Sequence, residues 1–124
     1  MSTKIRIISL ALGILILASS CAYEELLQYL DSTEELRAVL SADELARLRQ
    51  CESTDNYQAI SPSGRYRGAY QFDQPTWDGV AGRHFEWLVG IDPIDANPWW
   101  QDSMTRALWS ERGRQPWPVC GKGV

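Results

Sequence analysis

The run Cys51-Glu52-Ser53-Thr54-Asp55-Asn56-Tyr57, followed by Ser61-Pro62-Ser63-Gly64, Arg65 to Phe72 and Asp73-Gln74-Pro75-Thr76-Trp77, decides how the chain reads. Upstream of it, residues 22–50 hold neither Gly nor Pro, and helix-start signals recur. Ser41 with Glu44 and Ser32 with Glu35 both fit a capping box, so helices are expected over 23–30, over 33–40 and from Ala42 onward. In the third, Leu45, Leu48 and Glu52 share one face. A carboxylate at the end of an apolar stripe is desolvated, which raises its pKa and suits a general acid. The plain alternative is a Glu exposed at a frayed helix end. Downstream, Ser61 to Gly64 is a turn cluster and Arg65 to Phe72 reads as a short hairpin or extended loop. Asp73 ahead of Pro75 predicts a capped helix through Trp77 to about Ala81. Residues 82–96 read as loop, with one turn at Phe85 to Val89. A last helix is expected from Asn97-Pro98 to about Arg112, ended by Gly113, with Trp100, Met104, Ala107, Leu108 and Glu111 along one side.

The 124 residues allow one small domain besides any leader. Twelve basic against sixteen acidic residues, net −4, argue against a nucleic-acid partner, which needs a basic stripe. One His and three Cys without CxxC or HxxxH spacing argue against a metal site, and no cofactor is expected. Residues 1–21 have the parts of a signal peptide: Lys4 and Arg6, an apolar run from Ile7 to Leu17, then Ala18-Ser19-Ser20 before Cys21. That ending resembles a lipobox with Ala18 where Leu is usual, so Cys21 is a candidate lipidation site; ordinary cleavage and an uncleaved anchor are the alternatives. Residues 22–41 read as a helical spacer with a solvated acidic face. Residues 42–124 then form the domain.

Four blocks, in order, resemble one family. Cys51-Glu52-Ser53, Gly64 to Phe72, Asp73-Gln74-Pro75-Thr76-Trp77 and Trp117-Pro118-Val119-Cys120 are similar to the pattern of lytic transglycosylases. The resemblance is nearest to the transglycosylase-like domain of resuscitation-promoting factors, in the lysozyme-like superfamily. It implies an α+β, mostly α, lysozyme-like fold with a short β-hairpin or loop wing. It makes Glu52 the single essential acid and puts Tyr66, Gln71, Asp73, Thr76 and Trp77 along the sugar cleft. Cys51 and Cys120 match the family's disulfide, in keeping with an oxidising compartment. One departure stands beside the acid, because the family usually has Gly-Gly where this chain has Thr54-Asp55. Asp55 would then either raise the Glu52 pKa further or pair with an Arg and leave Glu52 alone.

The implied function is a secreted or envelope enzyme, at the outer face of the membrane, acting on peptidoglycan glycan strands as a monomer. Glu52 would protonate the oxygen joining N-acetylmuramic acid to N-acetylglucosamine and then serve as base, so that one carboxylate suffices. Hydrolysis and formation of a 1,6-anhydro product both remain open. The alternatives are a non-catalytic glycan-binding or growth-signalling module, and a structural envelope lipoprotein. For several residues a structural reading stands beside the functional one. Asp73 is a helix cap as much as a helper, and Tyr66, Tyr70 and Trp77 are core residues as readily as sugar platforms. Trp87, Trp99, Trp100 and Trp109 are assigned to packing, Trp117 to packing near the disulfide, His84 to an exposed loop, and Gly68 to backbone geometry.

Overall fold

The computed structural model describes residues 20–124, which divide after Thr33 into two units, the second being Glu34–Val124. The expected signal segment lies almost wholly outside the described residues. Within the first unit, residues 20–33 are helical (α1), and Cys21 on it is exposed and unpaired. The Ser32 and Thr33 hydroxyls donate back to the Tyr29 carbonyl, at 3.2 and 2.6 Å. Ser32 therefore closes the last turn of α1 instead of capping a new helix, and the expected helix over 33–40 is only a 3-10 turn at Glu34–Leu36. No helix among the described residues is long and apolar enough to cross a membrane.

The second unit is built on α2 (Ala42–Ser53), α3 (Gln74–His84) and α4 (Pro98–Arg112), with 3-10 turns at Glu86–Leu88, Pro93–Asp95 and Cys120–Gly123. Each start follows from local chemistry. At α2 the Ser41 side chain accepts from the Glu44 amide while the Glu44 carboxylate accepts from the Ser41 amide at 2.8 Å. This reciprocal cap contributes on the order of 1 kcal/mol. The Asp73 carboxylate accepts from the Thr76 amide at 2.9 Å and Pro75 stands in the first turn of α3. Pro98 opens α4, and Gly113 ends it in a positive-φ conformation. Leu45 and Leu48 of α2, Trp77, Val80 and Ala81 of α3, and Met104, Ala107 and Leu108 of α4 meet in the core, with Tyr70, Phe72 and Phe85 between them. Leu36 and Leu40 are buried in the same unit.

The fold is mostly helical, as the sequence implies, and of the two forms expected for the wing, hairpin or extended loop, the hairpin is not found among the described residues. Only isolated antiparallel bridges form, Ile60 with Arg67 and Arg67 with Phe72. The reason is the density of turns. Gly64 reverses the chain at φ +75°, and Gly68 and Gln71 reverse it again at +84° and +55°. That leaves only a few residues between reversals, too few to propagate a ladder. The segment is held by other means. Arg67 pairs with Asp92 at 2.6 Å, and the buried Gln101 amide accepts from the Ala69 N–H while donating to the Tyr57 and Ala96 carbonyls. A Cβ on Gly68 would come within 2.6 Å of the Gln101 side-chain oxygen. Gly68 thus serves backbone geometry, and what approaches it closely is Gln101.

Candidate active site

Glu52 lies in the last turn of α2, one turn beyond Leu48, so the stripe that buries Leu45 and Leu48 carries its carboxyl to the edge of the core. It is half-buried and has no hydrogen-bond or ion-pair partner among the described residues. Desolvation raises its pKa above the ordinary value, and the negative end of the helix dipole acts in the same direction.

Asp55 takes no part in that shift. It pairs with Arg49, Nε to Oδ1 at 2.7 Å, so of the two expected roles it adopts the structural one. Both Thr54 and Asp55 hold positive φ, 59° and 60°, at the positions where the resembling family usually carries Gly-Gly. A residue with a Cβ costs roughly 1–2 kcal/mol there, more for a β-branched side chain. Asp55 offsets the cost through Arg49, whereas the exposed Thr54 side chain makes no hydrogen bond among the described residues. Thr54→Gly is therefore expected to raise unfolding free energy by about 0.5–1 kcal/mol, after the added freedom of the unfolded chain is subtracted. Asp55→Gly should give no such gain, because it unpairs Arg49. Urea denaturation of both variants checks the contrast, and equal effects would contradict it.

Behind Glu52, Arg49 also reaches the Tyr70 hydroxyl at 3.0 Å and Asp102 of α4 at 3.5 Å. The phenols of Tyr57 and Tyr70 donate to the same Asp102 oxygen at 2.8 and 2.5 Å. Both phenol pKa values are pushed up, mainly by burial and then by Asp102, so the O–H groups stay protonated donors. This network ties the end of α2 to α4 and to the loop that carries Gln71.

Glu52 opens on a groove. A concavity of about 580 Å³ is lined by Glu52, Tyr66, Gln71 and the segment Gln115 to Cys120. A second, of about 160 Å³, is lined by Asp73, Thr76, Phe72, Tyr70, Leu108 and Arg112. Tyr66, Gln71, Pro116 and Trp117 line both, so the two concavities adjoin and together make up the groove. Cys51 and Cys120 are joined by a disulfide with Cα atoms 5.6 Å apart, and this bond brings the 115–120 wall opposite Glu52.

Five of the residues expected in the cleft, Glu52, Tyr66, Gln71, Asp73 and Thr76, do line this groove. Trp77 does not. Its side chain is 0% exposed and its indole N–H donates to the Leu88 carbonyl at 3.0 Å, so it is a core residue and cannot touch a ligand. Asp73 differs from Glu52 in electrostatics. Burial alone would raise its pKa, but the Thr76 hydroxyl and amide, together with Arg65 at 3.4 Å, hold it below the ordinary value. The groove thus has one carboxyl biased toward the acid and one biased toward the anion, the separation that acid and electrostatic roles require.

Trp117 packs as the sequence led one to expect, and its segment also walls the groove. Trp117 is buried, donates to the Tyr70 carbonyl at 3.0 Å, stacks on Trp109 and lies edge-on to Phe72. Its place in the groove follows from the disulfide, and no local spacing signals it. His84 is not a lone loop residue: it ends α3 with Nε2 2.6 Å from Glu111, which Arg83 also engages. Trp87 and Trp99 are 40% and 45% exposed, less packed than expected. Among the described residues no group of three or more His, Cys, Asp or Glu side chains gathers as a metal site.

Residues 40–120 match the family described as "Transglycosylase-like domain". "Probable transglycosylase SceD" of Staphylococcus aureus (strain MRSA252) is 35% identical over 75 residues, which cover 60% of this chain and 31% of that protein. "Probable transglycosylase SceD 3" of Staphylococcus saprophyticus is 34% identical over 73 residues, 59% of this chain and 29% of that protein. The chain therefore spans about a third of the length of these curated relatives. No solved structure is matched. With the family match covering most of the folded unit and the groove residues inside it, the chain belongs to the transglycosylase-like domain family.

Proposed function

We propose that this chain is an exported enzyme that cuts peptidoglycan glycan strands between N-acetylmuramic acid and N-acetylglucosamine, with Glu52 as general acid and then base. The observation that carries the reading is the Glu52 carboxyl: half-buried, raised in pKa by desolvation, without a counter-ion among the described residues and lining a concavity of about 580 Å³. As the C1–O bond breaks, Glu52 donates its proton to the leaving oxygen and an oxocarbenium-like centre develops. The resulting carboxylate then takes the proton of the muramic C6 hydroxyl, whose oxygen bonds to C1 and closes a 1,6-anhydro ring. Tyr66, Gln71 and Thr76 line the path with hydrogen-bonding groups, and Asp73 supplies a fixed negative charge farther along it. The relatives named as transglycosylases support this mode over hydrolysis.

The finer assignments form part of the same reading. Residues 1–21 act as an export signal with Cys21 as the lipid-acceptor site, 22–41 as spacer and 42–124 as a lysozyme-like catalytic domain of the resuscitation-promoting type, serving wall remodelling as a monomer. The non-catalytic alternative rests on Thr54-Asp55 beside the acid, and the pairing of Asp55 with Arg49 supports the catalytic reading over it. Mass spectrometry of products released from purified cell wall tests the reaction. Anhydro-muropeptides are expected. Products with reducing ends only would make the enzyme a hydrolase, and no product from the folded protein would overturn the reading.

A further inference from the structure

The groove holds a cation that the reaction does not use. Arg112, in the last turn of α4, lines the smaller concavity beside Asp73 and Thr76. The residue is exposed, and its guanidinium has no hydrogen bond and no carboxylate partner among the described residues. This separates it from the other arginines near the site: Arg49 is held by Asp55 and Asp102, Arg65 by Asp73, and Arg67 by Asp92. Asp73 does not neutralise it, since that carboxylate is engaged by Thr76 and Arg65. An unpaired guanidinium in the wall of a groove, on a chain of net charge −4, is a fork-shaped donor set without an acceptor.

We infer that Arg112 is a specificity residue that binds a carboxylate of the glycan and so distinguishes wall strands from uncharged β-1,4 glycans. The inference rests on the proposed reading of the groove as a glycan site. The carboxylate has two sources in wall strands, the lactyl group of muramic acid when its stem is absent and the stem peptide when it is present. Placement one concavity away from Glu52 suits a contact with a sugar substituent and keeps the guanidinium off the scissile bond. A terminal-turn Arg also complements the helix dipole, so the readout must be one that a purely structural role would not move.

The test uses the full chain carrying Glu52→Gln and three soluble glycans of equal length. One is a wall strand with stems, one is stripped of stems so that its lactyl carboxylates are bare, and one is a chito-oligomer. The charged strands are expected to bind about tenfold or more tighter than the chito-oligomer at low salt, a margin that shrinks as salt is raised. Adding Arg112→Gln should erase that margin with the thermal midpoint kept, and Arg112→Lys should restore part of it. Tighter binding of the stemmed strand assigns the carboxylate to the peptide, and tighter binding of the stripped strand assigns it to the lactyl group. Equal binding of all three, or a margin that survives Arg112→Gln, overturns the inference while leaving the groove as a glycan site. Binding of none of the three overturns the glycan-site reading itself, and the role of Arg112 with it.

Discussion

Glu52→Gln is expected to reduce release of soluble fragments from purified cell wall by roughly 10²–10⁴-fold, the usual contribution of a positioned general acid. The substitution keeps the shape and removes the proton. Because the carboxyl makes no hydrogen bond or ion pair among the described residues, the fold should not be weakened. Its pKa is raised by desolvation, so the wild-type rate should decline as pH rises through a value above the ordinary 4.5. The same shift has a stability consequence of definite sign. A carboxyl whose folded-state pKa exceeds the unfolded one binds more protons when folded, so stability falls as pH rises through the interval between the two values. Glu52→Gln removes that loss. The variant should therefore be inactive, and at pH 7 at least as stable as the wild type. Thermal melts at pH 4 and pH 7 beside the wall assay check both halves. A variant that cleaves as well as wild type would show that the acid is another residue.

Removing the disulfide should produce the largest stability change. Cys51 and Cys120 are separated by 69 positions, and closing such a loop is worth about 4 kcal/mol in the chain-entropy model. Against the 5–15 kcal/mol of a typical small domain, that loss lowers the midpoint steeply. The effect on activity should exceed the effect on folding. Cys51 adjoins Glu52, and Cys120 ends the segment that supplies Trp117 and the rest of the far wall. Without the bond, that segment keeps the Trp117 anchor on the Tyr70 carbonyl, Trp109 and Phe72. The Arg47 side chain still reaches the Gly123 carbonyl at 3.0 Å, but nothing covalent fixes the end of the wall beside Glu52. A Cys51→Ser/Cys120→Ser protein assayed well below its midpoint should still lose most of its wall cleavage. Full activity in a folded, unbridged protein would mean that the wall stays in place without the bond.

Much of the helical framework was legible because its signals are local. Ser41 with Glu44, Asp73 with Pro75, and Pro98 with Gly113 each act within a few residues, and each sits where it was expected. Local signals also misled where a competing bond existed. Ser32 and Glu35 have the spacing of a box, but the Ser32 hydroxyl found the Tyr29 carbonyl one turn back. The side chains read least well were those whose environment is made by distant chain. Trp77 looked like a sugar platform until Leu88 supplied an acceptor for its indole. His84 looked solitary because Glu111 is 27 residues away. In the groove, the residues near Glu52 and the Gly64–Trp77 stretch were legible through the family pattern. The Trp117–Cys120 block was legible in the same way, through the family pattern and the disulfide it implies. Arg112 was not, since it reaches the groove only through the packing of α4.

The isolation of the Glu52 carboxyl bears on how such a domain changes over time. A catalytic group that belongs to a hydrogen-bond network takes part of the scaffold with it when it is lost. Here the Glu52 carboxyl, the acid of the proposed reaction, makes no hydrogen bond or ion pair among the described residues, while Arg49, Asp102, Tyr57 and Tyr70 form the network behind it. On the proposed reading, one codon change at Glu52 silences the chemistry and leaves the groove intact. A duplicated copy could pass directly from cutting a polymer to sensing it, without going through an unfolded ancestor.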